Sequence, residues 1–260
     1  MRDRFNLITT FYEEAPKDRI EDFLFCLDKN LKNDSIKKIF LFLECSKNPL
    51  NANKKMRSKL EKETRIYVKK ISNRPTFYDF FSFCNKFKGE LCIICNGDIY
   101  FPQEDQQNLR LLSRQDYSKN CFALTRYNLS KETKNGGLKK NFFGTIIKTN
   151  HKRGGSADSW VFRAPIKIDK LNLDIELGQP ECDPSVTYEL TKIKKVINPC
   201  LTVISIHKHK NWTNESYKKI NHKNKIFTRT EWRKLLTEQK FNWENKIPFS
   251  KIPNDNGSFA

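Results

Sequence analysis

The stretch ELCIICNGDIYFP, residues 90–102, decides how this sequence is interpreted. It starts with the apolar run LCIIC (91–95), which has the length and residue types of a strand buried on both faces. The run ends abruptly in Asn96-Gly97-Asp98. Open α/β sheets place binding groups at the carboxyl ends of their strands, and a glycine there lets a ligand approach the backbone. These three residues are also ordinary turn formers, so the stretch alone predicts a turn or a binding site equally well.

Strand-like and helix-like segments alternate before this stretch. Apolar and β-branched runs predict strands, and apolar residues at helical spacing predict amphipathic helices. In chain order the predictions are a strand at 5–11, a helix at 18–31, a strand at 36–43, a short helix, a strand at 64–68, a helix at 76–87 and a strand at 91–95. This order predicts an α/β fold with a mostly parallel central sheet flanked by helices.

The carboxyl ends of these strands should carry the binding groups. The candidates are Thr9, Thr10, Phe11 and Tyr12 after the first strand, and Asn96 and Asp98 after the fourth. The sequence contains neither G-x-G-x-x-G nor G-x-x-x-x-G-K-S/T, and it has only 9 glycines. Phosphates would therefore have to be held by a metal or by basic side chains.

The second half of the chain is less regular. The predictions are a helix at 104–112, a strand at 121–127, mobile polar loops at 131–140 and 148–156, and short extended runs at 142–147 and 159–162. Asp183 precedes Pro184 and about ten helical residues, which predicts an N-cap with proline at the first helical position. Residues 196–207 are expected to be extended and to end at His207.

Composition and charge narrow the class of protein. With 260 residues, 37 % hydrophobic and 30 % charged, the chain suits one large α/β domain, or a domain with a small appendage. It has no apolar run long enough to span a membrane and no signal-peptide pattern at its start, so a cytoplasmic location is expected. A net charge of +19 favours an anionic partner such as nucleic acid, a membrane surface or a phosphorylated substrate. Because the lysines are spread along the chain without a recognition motif, the charge supports anion binding only weakly.

The eight cysteines are expected to be free thiols, mostly buried. Cys92 and Cys95 form a C-x-x-C. Residues three apart on a strand point to opposite faces, and no second pair follows at zinc-site spacing. A metal or redox role for this pair is disfavoured.

Four sets of side chains remain as candidates for chemistry, and each has a structural alternative. They are Asn96 with Asp98, Asp158 in SADSW, Asp183 in PECDP, and His207 with His209. Asp183 would serve equally well as a helix cap, and Asp158 would simply end a loop. The two histidines would share one face of a strand, which suits a metal or a phosphate but also suits a solvated pair.

The joint order of these residues resembles the sugar-nucleotide glycosyltransferases of the GT-A fold. The resemblance is most specific in NRPTFYDFF (73–81), IICNGDIYF (93–101), SADSWVFRAP (156–165) and the segment from GQPECDP to ISIHKH (178–209). These stretches are similar to compact glycosyltransferase domains from bacterial surface-polysaccharide clusters and chlorovirus-type viruses. The resemblance covers residues 5–209 and implies a GT-A-like (Rossmann-like) domain. Asn96 departs from the family, since it occupies the first acidic position of the usual D-x-D motif, and this weakens metal binding by two carboxylates.

The resemblance also implies roles for individual residues. Mn²⁺ or Mg²⁺ would neutralise the leaving nucleotide diphosphate, with Asp98 and His207 as ligands. Arg74, Arg126 and the lysines would hold phosphate oxygens.

For an inverting reaction, the resemblance places Asp183 as the base that takes the proton of the acceptor hydroxyl. The helix dipole should keep Asp183 ionised rather than raise its pKa. Asp158 is the second candidate for the base, or else it orients a sugar hydroxyl. Trp160 would either stack on a sugar ring or lie in the core.

The chain divides into a GT-A-like nucleotide-sugar glycosyltransferase domain at 1–209 and a basic extension at 210–260. The extension carries Trp212, Trp232 and Trp243 among its lysines. It would contact an anionic membrane surface that holds a lipid-linked acceptor, or else pack on the domain.

The leading hypothesis is an inverting, metal-dependent glycosyltransferase of polysaccharide biosynthesis. It would move a sugar from a UDP-, GDP- or dTDP-linked donor to a hydroxyl of a glycan or lipid-linked acceptor. A basic nucleic-acid-binding protein is one alternative. A sugar nucleotidyltransferase is another, although no glycine-rich loop follows residues 5–11. A retaining mechanism also stays open.

Overall fold

The structure, a computed structural model, describes residues 3–47, 53–103, 106–129, 140–142, 157–179, 182–208, 219–222, 225–228, 247 and 250–252. The first half of the described chain contains β1 (Phe5–Tyr12), α1 (Lys17–Lys32), β2 (Ile36–Glu44), α2 (Lys54–Lys62), β3 (Ile66–Ile71), α3 (Phe77–Cys84), β4 (Leu91–Cys95) and β5 (Ile99–Tyr100). It continues with α4 (Gln106–Ser113), β6 (Asn120–Leu124), β7 (Tyr127–Leu129), β8 (Lys140–Phe142), β9 (Ser159–Arg163), α5 (Cys182–Thr191), β10 (Lys195–Ile197), β11 (Ile206–His207), β12 (Lys219–His222) and β13 (Lys225–Thr228).

A seven-stranded sheet forms the centre of the described chain, in the order β10-β6-β9-β4-β1-β2-β3. Its strands are parallel except β9, which runs antiparallel to both β4 and β6. The predicted α/β fold with a mostly parallel sheet is confirmed. Strand β1 lies between β2 and β4, so β2 and β3 are added on one side of β1 and β4 is added on its other side. α/β sheets leave a crevice for ligands at the point where the strand order changes side in this way.

A smaller sheet in the order β5-β11-β7-β8 lies next to this crevice. His207 pairs with Ile99 across the antiparallel β5 and β11 ladder. Since Ile99 directly follows Asp98, this ladder brings together two candidates that are far apart in sequence.

The core lies on both faces of the large sheet. On one face, α1 packs through Phe23 and Leu27 against Phe11 of β1. On the other, α3 packs through Phe80 against Phe42 of β2. A capping box at Thr76 starts α3, with reciprocal hydrogen bonds to Asp79.

All eight cysteines are free, and all but the partly exposed Cys45 are buried. Cys92 packs in the core on the α3 face and Cys95 in the core on the α1 face. The alternation expected of a strand thus separates the two thiols of the C-x-x-C.

Trp160 on β9 is fully buried, so the sugar-stacking role for it is wrong. Its ring packs edge-on against Phe77, and its indole Nε1 donates to Thr187 Oγ1 at 3.2 Å. Burying an indole N–H requires an acceptor, and α5 supplies one.

Thr187→Val is expected to lower the free energy of unfolding by about 1–3 kcal/mol, because it leaves the buried indole N–H without an acceptor while preserving side-chain shape. Urea denaturation followed by Trp fluorescence measures this. Thr187→Ser keeps the hydroxyl and should lose less. Equal losses in the two variants would show that the hydrogen bond contributes little.

Several predicted boundaries are wrong for local reasons. The run expected to be extended at 196–207 is interrupted, because the carbonyl of Pro199 accepts from the N–H groups of Thr202 and Val203 in a turn. Helix α5 begins at Cys182, so Asp183 lies in its first turn rather than at the N-cap. The predicted strand at 121–127 divides into β6 and β7.

Other predictions fall outside the described residues. These are the loops at 131–139 and 148–156, the extended run at 143–147, His209, and Trp212, Trp232 and Trp243. From the extension, Ser250 exchanges backbone hydrogen bonds with the segment 198–201, and Ile252 is buried in the core. The division at residue 209 stays a prediction. Within the described ranges, no helix combines the length and apolar character needed to cross a bilayer.

Candidate active site

A cavity of about 120 Å³, open to solvent, lies at the carboxyl ends of β1, β2 and β4. Polar and charged groups dominate its wall. The lining residues are Thr10, Tyr12, Arg19, Phe23, Glu44, Arg74, Asn96, Gly97, Asp98, Arg126, Leu177, Gly178 and His207.

Asp98 is the carboxylate at the centre of this wall, and it is 5 % exposed. Its Oδ2 accepts from Arg19 Nη2 at 2.9 Å and lies 2.8 Å from His207 Nε2, which must carry a proton to donate to it. Burial alone would raise the pKa of Asp98, but the adjacent His207, Arg19 and Arg126 lower it well below its ordinary value. Asp98 is therefore ionised at neutral pH.

Asp158 lies behind the cavity wall and is fully buried. Its Oδ1 accepts from Arg126 Nη1 and, at 3.3 Å, from Asn96 Nδ2. The backbone N–H of Asn96 also donates to the Asp158 carbonyl, at 3.4 Å. Asp158 thus fixes Asn96 and Arg126 in place, and it is not among the residues that line the cavity.

Asp183 is half-buried in the first turn of α5. Its Oδ2 accepts from the backbone N–H of Ala157 at 3.4 Å, and its Oδ1 accepts from Cys182 Sγ at 3.2 Å. Burial, and then the charge of Asp158, raise the pKa of Asp183 to about 8. The expectation that the helix dipole would prevent such a rise is wrong, since loss of water and a second carboxylate outweigh the dipole.

Solved structures share this architecture. TarS from S. aureus in complex with UDP-GlcNAc matches with a TM-score of 0.51 and 12 % identity, over 84 % of this chain and 62 % of that one. The mannosyltransferase PcManGT from Pyrobaculum calidifontis, in complex with GDP-Man and Mn²⁺, matches with a TM-score of 0.52 and 10 % identity, over 84 % and 60 %. GalNAc-T7 with UDP, GalNAc and Mn²⁺ matches with a TM-score of 0.54 and 11 % identity, over 81 % of this chain and 45 % of that one.

The chain has the GT-A fold. It spans less than two thirds of the length of each of these structures, and identities of 10–12 % establish the fold alone. A comparison with protein-family models found no match, and a comparison with the sequences of curated proteins found none either.

The GT-A strand β1 presents alternate residues to the cavity. Thr10 and Tyr12 line it, and Thr10 Oγ1 donates to the Phe42 carbonyl at 2.8 Å. Thr9 and Phe11 point to the opposite face, where both are buried in the core and Phe11 stacks on a helix phenylalanine. Their predicted role in binding is not compatible with this placement, because adjacent strand residues face opposite sides.

Gly97 is a glycine for a different reason from the one predicted. A Cβ at this position would lie 2.4 Å from the Thr10 carbonyl oxygen and 3.0 Å from the Phe11 ring. The neighbouring strand, rather than a ligand, therefore requires the missing side chain. This close approach presses the turn that carries Asp98 against β1.

The opposite wall carries Arg74 and Glu44. Arg74 Nε lies 3.8 Å from Glu44 Oε2, and the guanidinium lies 5.6 Å from the centre of the Tyr12 ring. Burial raises the pKa of Glu44, and Arg74 partly offsets that rise. This wall is less buried than the Asp98 wall, so Arg74 retains access to a ligand.

The donor set suits a divalent cation shared with a substrate. Across the described residues, no three His, Cys, Asp or Glu side chains come together as a complete protein-only metal site. Asp98 supplies one donor, and His207 Nε2 would supply a second once it has lost the proton that it donates to Asp98. One or two protein ligands are usual when substrate phosphates complete the coordination of Mg²⁺. Asn96 lines the cavity, and its buried Oδ1 accepts no hydrogen bond from the described residues.

The sequence interpretation missed five cavity residues, which are Arg19, Phe23, Glu44, Leu177 and Gly178. A signal for Arg19 was present. It precedes Phe23 by four residues on α1, which places its charge on the apolar face of that helix. A cation in that position has to find a buried anion.

Proposed function

We propose that this protein is a glycosyltransferase that uses a nucleotide-diphosphate sugar and a divalent cation. The observation that carries the proposal is the buried pair of Asp98 and His207, 2.8 Å apart at the end of β4 in a GT-A fold. The names of the matching structures support it, since they carry UDP-GlcNAc, GDP-Man with Mn²⁺, and UDP with GalNAc and Mn²⁺.

In this proposal Asp98 and His207 hold Mn²⁺ or Mg²⁺, which supplies the positive charge that a departing diphosphate needs. Arg74 is placed to bind phosphate oxygens because its guanidinium lines the cavity and its contact with Glu44 is long, at 3.8 Å. Arg126 contributes mainly as a fixed positive charge, because its Nη1 is held by Asp158.

We further propose an inverting reaction with Asp183 as the base. An inverting transfer needs one group to accept the proton of the acceptor hydroxyl, and a raised pKa makes Asp183 a stronger base than an ordinary aspartate. Asp158 is fully buried and bound to Arg126, which argues against it as the base or as the nucleophile of a retaining enzyme.

The acceptor in this proposal is a hydroxyl of a glycan or a lipid-linked sugar, as in polysaccharide biosynthesis. The net charge of +19 is compatible with a cytoplasmic protein that contacts an anionic membrane surface peripherally. The basic extension is the segment proposed to make that contact.

A thermal-shift screen of UDP-, GDP- and dTDP-sugars, each with and without Mn²⁺, tests the proposal. One nucleotide should stabilise the chain in the presence of Mn²⁺ by about 2.7 kcal/mol at a hundredfold excess over Kd. Without the metal, stabilisation should be much smaller. Duplex and single-stranded DNA serve as controls. Stabilisation by DNA that weakens steeply with salt, together with no response to any nucleotide, would show a nucleic-acid-binding protein instead.

A further inference from the structure

Arg19 contacts the proposed metal ligand from the first turn of α1. Its Nη2 lies 2.9 Å from Asp98 Oδ2, and 17 % of its side chain is exposed. The guanidinium carbon lies 4.9 Å from the centre of the Phe23 ring, and the side chain lines the cavity. Arg19 is therefore a mostly buried cation held at the point where substrate would meet Asp98.

The contact uses the same carboxylate oxygen that faces His207. Asp98 Oδ2 accepts from Arg19 and from His207 at 2.9 and 2.8 Å. A divalent cation that binds Asp98 would have to approach a guanidinium at close range, and like charges at that distance oppose each other strongly in a partly buried site. Arg19 must leave Asp98, or its charge must be compensated, before a metal binds well.

Arg19 can move away from Asp98 and still remain in the cavity. Its Nη1 lies 4.0 Å from Asp22, a carboxylate on the same helix that is buried. At that distance the two groups attract each other without a hydrogen bond, so Asp22 keeps a negative charge near Arg19 when the planar guanidinium turns as a unit away from Asp98. A guanidinium released from Asp98 would then face the space where the diphosphate of a nucleotide lies, and the planar fork of arginine matches phosphate oxygens.

We propose that Arg19 exchanges partners during substrate binding. Before substrate arrives it neutralises Asp98, and when the cation binds Asp98 together with a nucleotide diphosphate, Arg19 transfers to a phosphate oxygen. The inference rests on the proposed function for its diphosphate. It predicts that the cation and the nucleotide bind cooperatively. The cation releases Arg19 from Asp98 so that it can bind the diphosphate, and the diphosphate neutralises the charge of Arg19 that would otherwise repel the cation.

Arg19→Gln separates this role from a structural one because it should change two affinities in opposite directions. Without the guanidinium, Mn²⁺ alone should bind about tenfold more tightly or better, since the competing charge is gone. Whichever of UDP, GDP and dTDP binds should bind about tenfold more weakly in the presence of saturating Mn²⁺, since a phosphate partner is lost. A variant that only loosened the fold would weaken both.

The measurements are electron paramagnetic resonance of free Mn²⁺ during titration of the protein, and calorimetry with UDP, GDP and dTDP. Arg163→Gln is the matched control. It removes another arginine–carboxylate pair, with Asp3 at 2.8 Å, from the far end of β9. This control should leave both affinities unchanged. Arg19→Lys, which retains the charge, should bind Mn²⁺ alone as weakly as the unmodified chain does.

Unchanged or weaker binding of Mn²⁺ by Arg19→Gln, in a variant whose circular dichroism shows a native fold, would overturn the exchange. Tighter binding by Arg19→Lys equal to that of Arg19→Gln would also overturn it, because charge would then not be the cause. Failure of the proposed function would look different: the unmodified chain would bind none of UDP, GDP and dTDP, with Mn²⁺ or without it.

Discussion

Asp98→Asn is expected to lower the rate of sugar transfer by about 10³-fold or more, and to lower hydrolysis of the donor in parallel. The substitution keeps the shape of the side chain but removes the charge that would hold the cation. Both reactions need the diphosphate to leave, so both should fail together. Activity assays with the donor identified by the thermal-shift screen, with and without acceptor, measure the two rates.

Folding has to be separated from chemistry in this variant, because Asp98 also balances the charges of Arg19 and His207. The pKa of Asp98 is lowered in the folded chain, so its contribution to stability is present above the unfolded pKa of about 4 and is lost as pH falls further. Asp98→Asn should therefore be less stable at pH 7 and should lose less stability on acidification.

Asp116→Asn, an exposed turn carboxylate that accepts hydrogen bonds from Ser118, is a control that should keep full activity. An Asp98→Asn variant that folds and retains full transfer activity would contradict both the metal site and the assignment built on it.

The sequence was sufficient for the features that depend on local pattern. The buried run at 91–95 is β4, with the predicted bounds, and the alternating order of strands and helices produced the mostly parallel sheet. The resemblance to GT-A glycosyltransferases also implied that Asp98 and His207 would meet, although 109 residues separate them.

Features that depend on the order of strands in the sheet could not be predicted from the sequence. The antiparallel β9 places Ser159 beside Cys95, and so sets Asp158 behind Asn96. A sequence pattern shows that a strand exists but not where it inserts. The contact of Arg19 with Asp98 likewise joins residues 79 apart and depends on α1 crossing beside the end of β4.

The direction of the pKa shift of Asp183 also could not be predicted from the sequence. From sequence, only its place at a helix start was visible, and the dipole there favours the charged form. The structure adds burial and the nearby charge of Asp158, both of which favour the protonated form. The sign of the pKa shift is set by neighbours that the fold brings in from other segments.

Asp183→Asn is expected to lower the transfer rate by about 10²–10⁴-fold, the usual contribution of a general base, while leaving the affinity for nucleotide and Mn²⁺ nearly unchanged. In the unmodified chain, the rate should rise with pH as Asp183 loses its proton, with a midpoint near its pKa of about 8. The residual rate of Asp183→Asn should lack that rise. Steady-state rates between pH 6 and 9, with donor affinity from calorimetry, measure both effects.

Stability provides an independent check on the same residue, and its sign is opposite to that for Asp98. A carboxylate whose folded pKa is raised keeps its proton in the native state while the unfolded state has lost it, so stability falls as pH rises from about 4 to about 8. Asp183→Asn removes that dependence and should be at least as stable as the unmodified chain at pH 8. A variant that lost activity but kept the same fall in stability between pH 5 and 8 would show that another group titrates there. A neighbouring group, and not Asp183, would then cause the change in stability between pH 5 and 8.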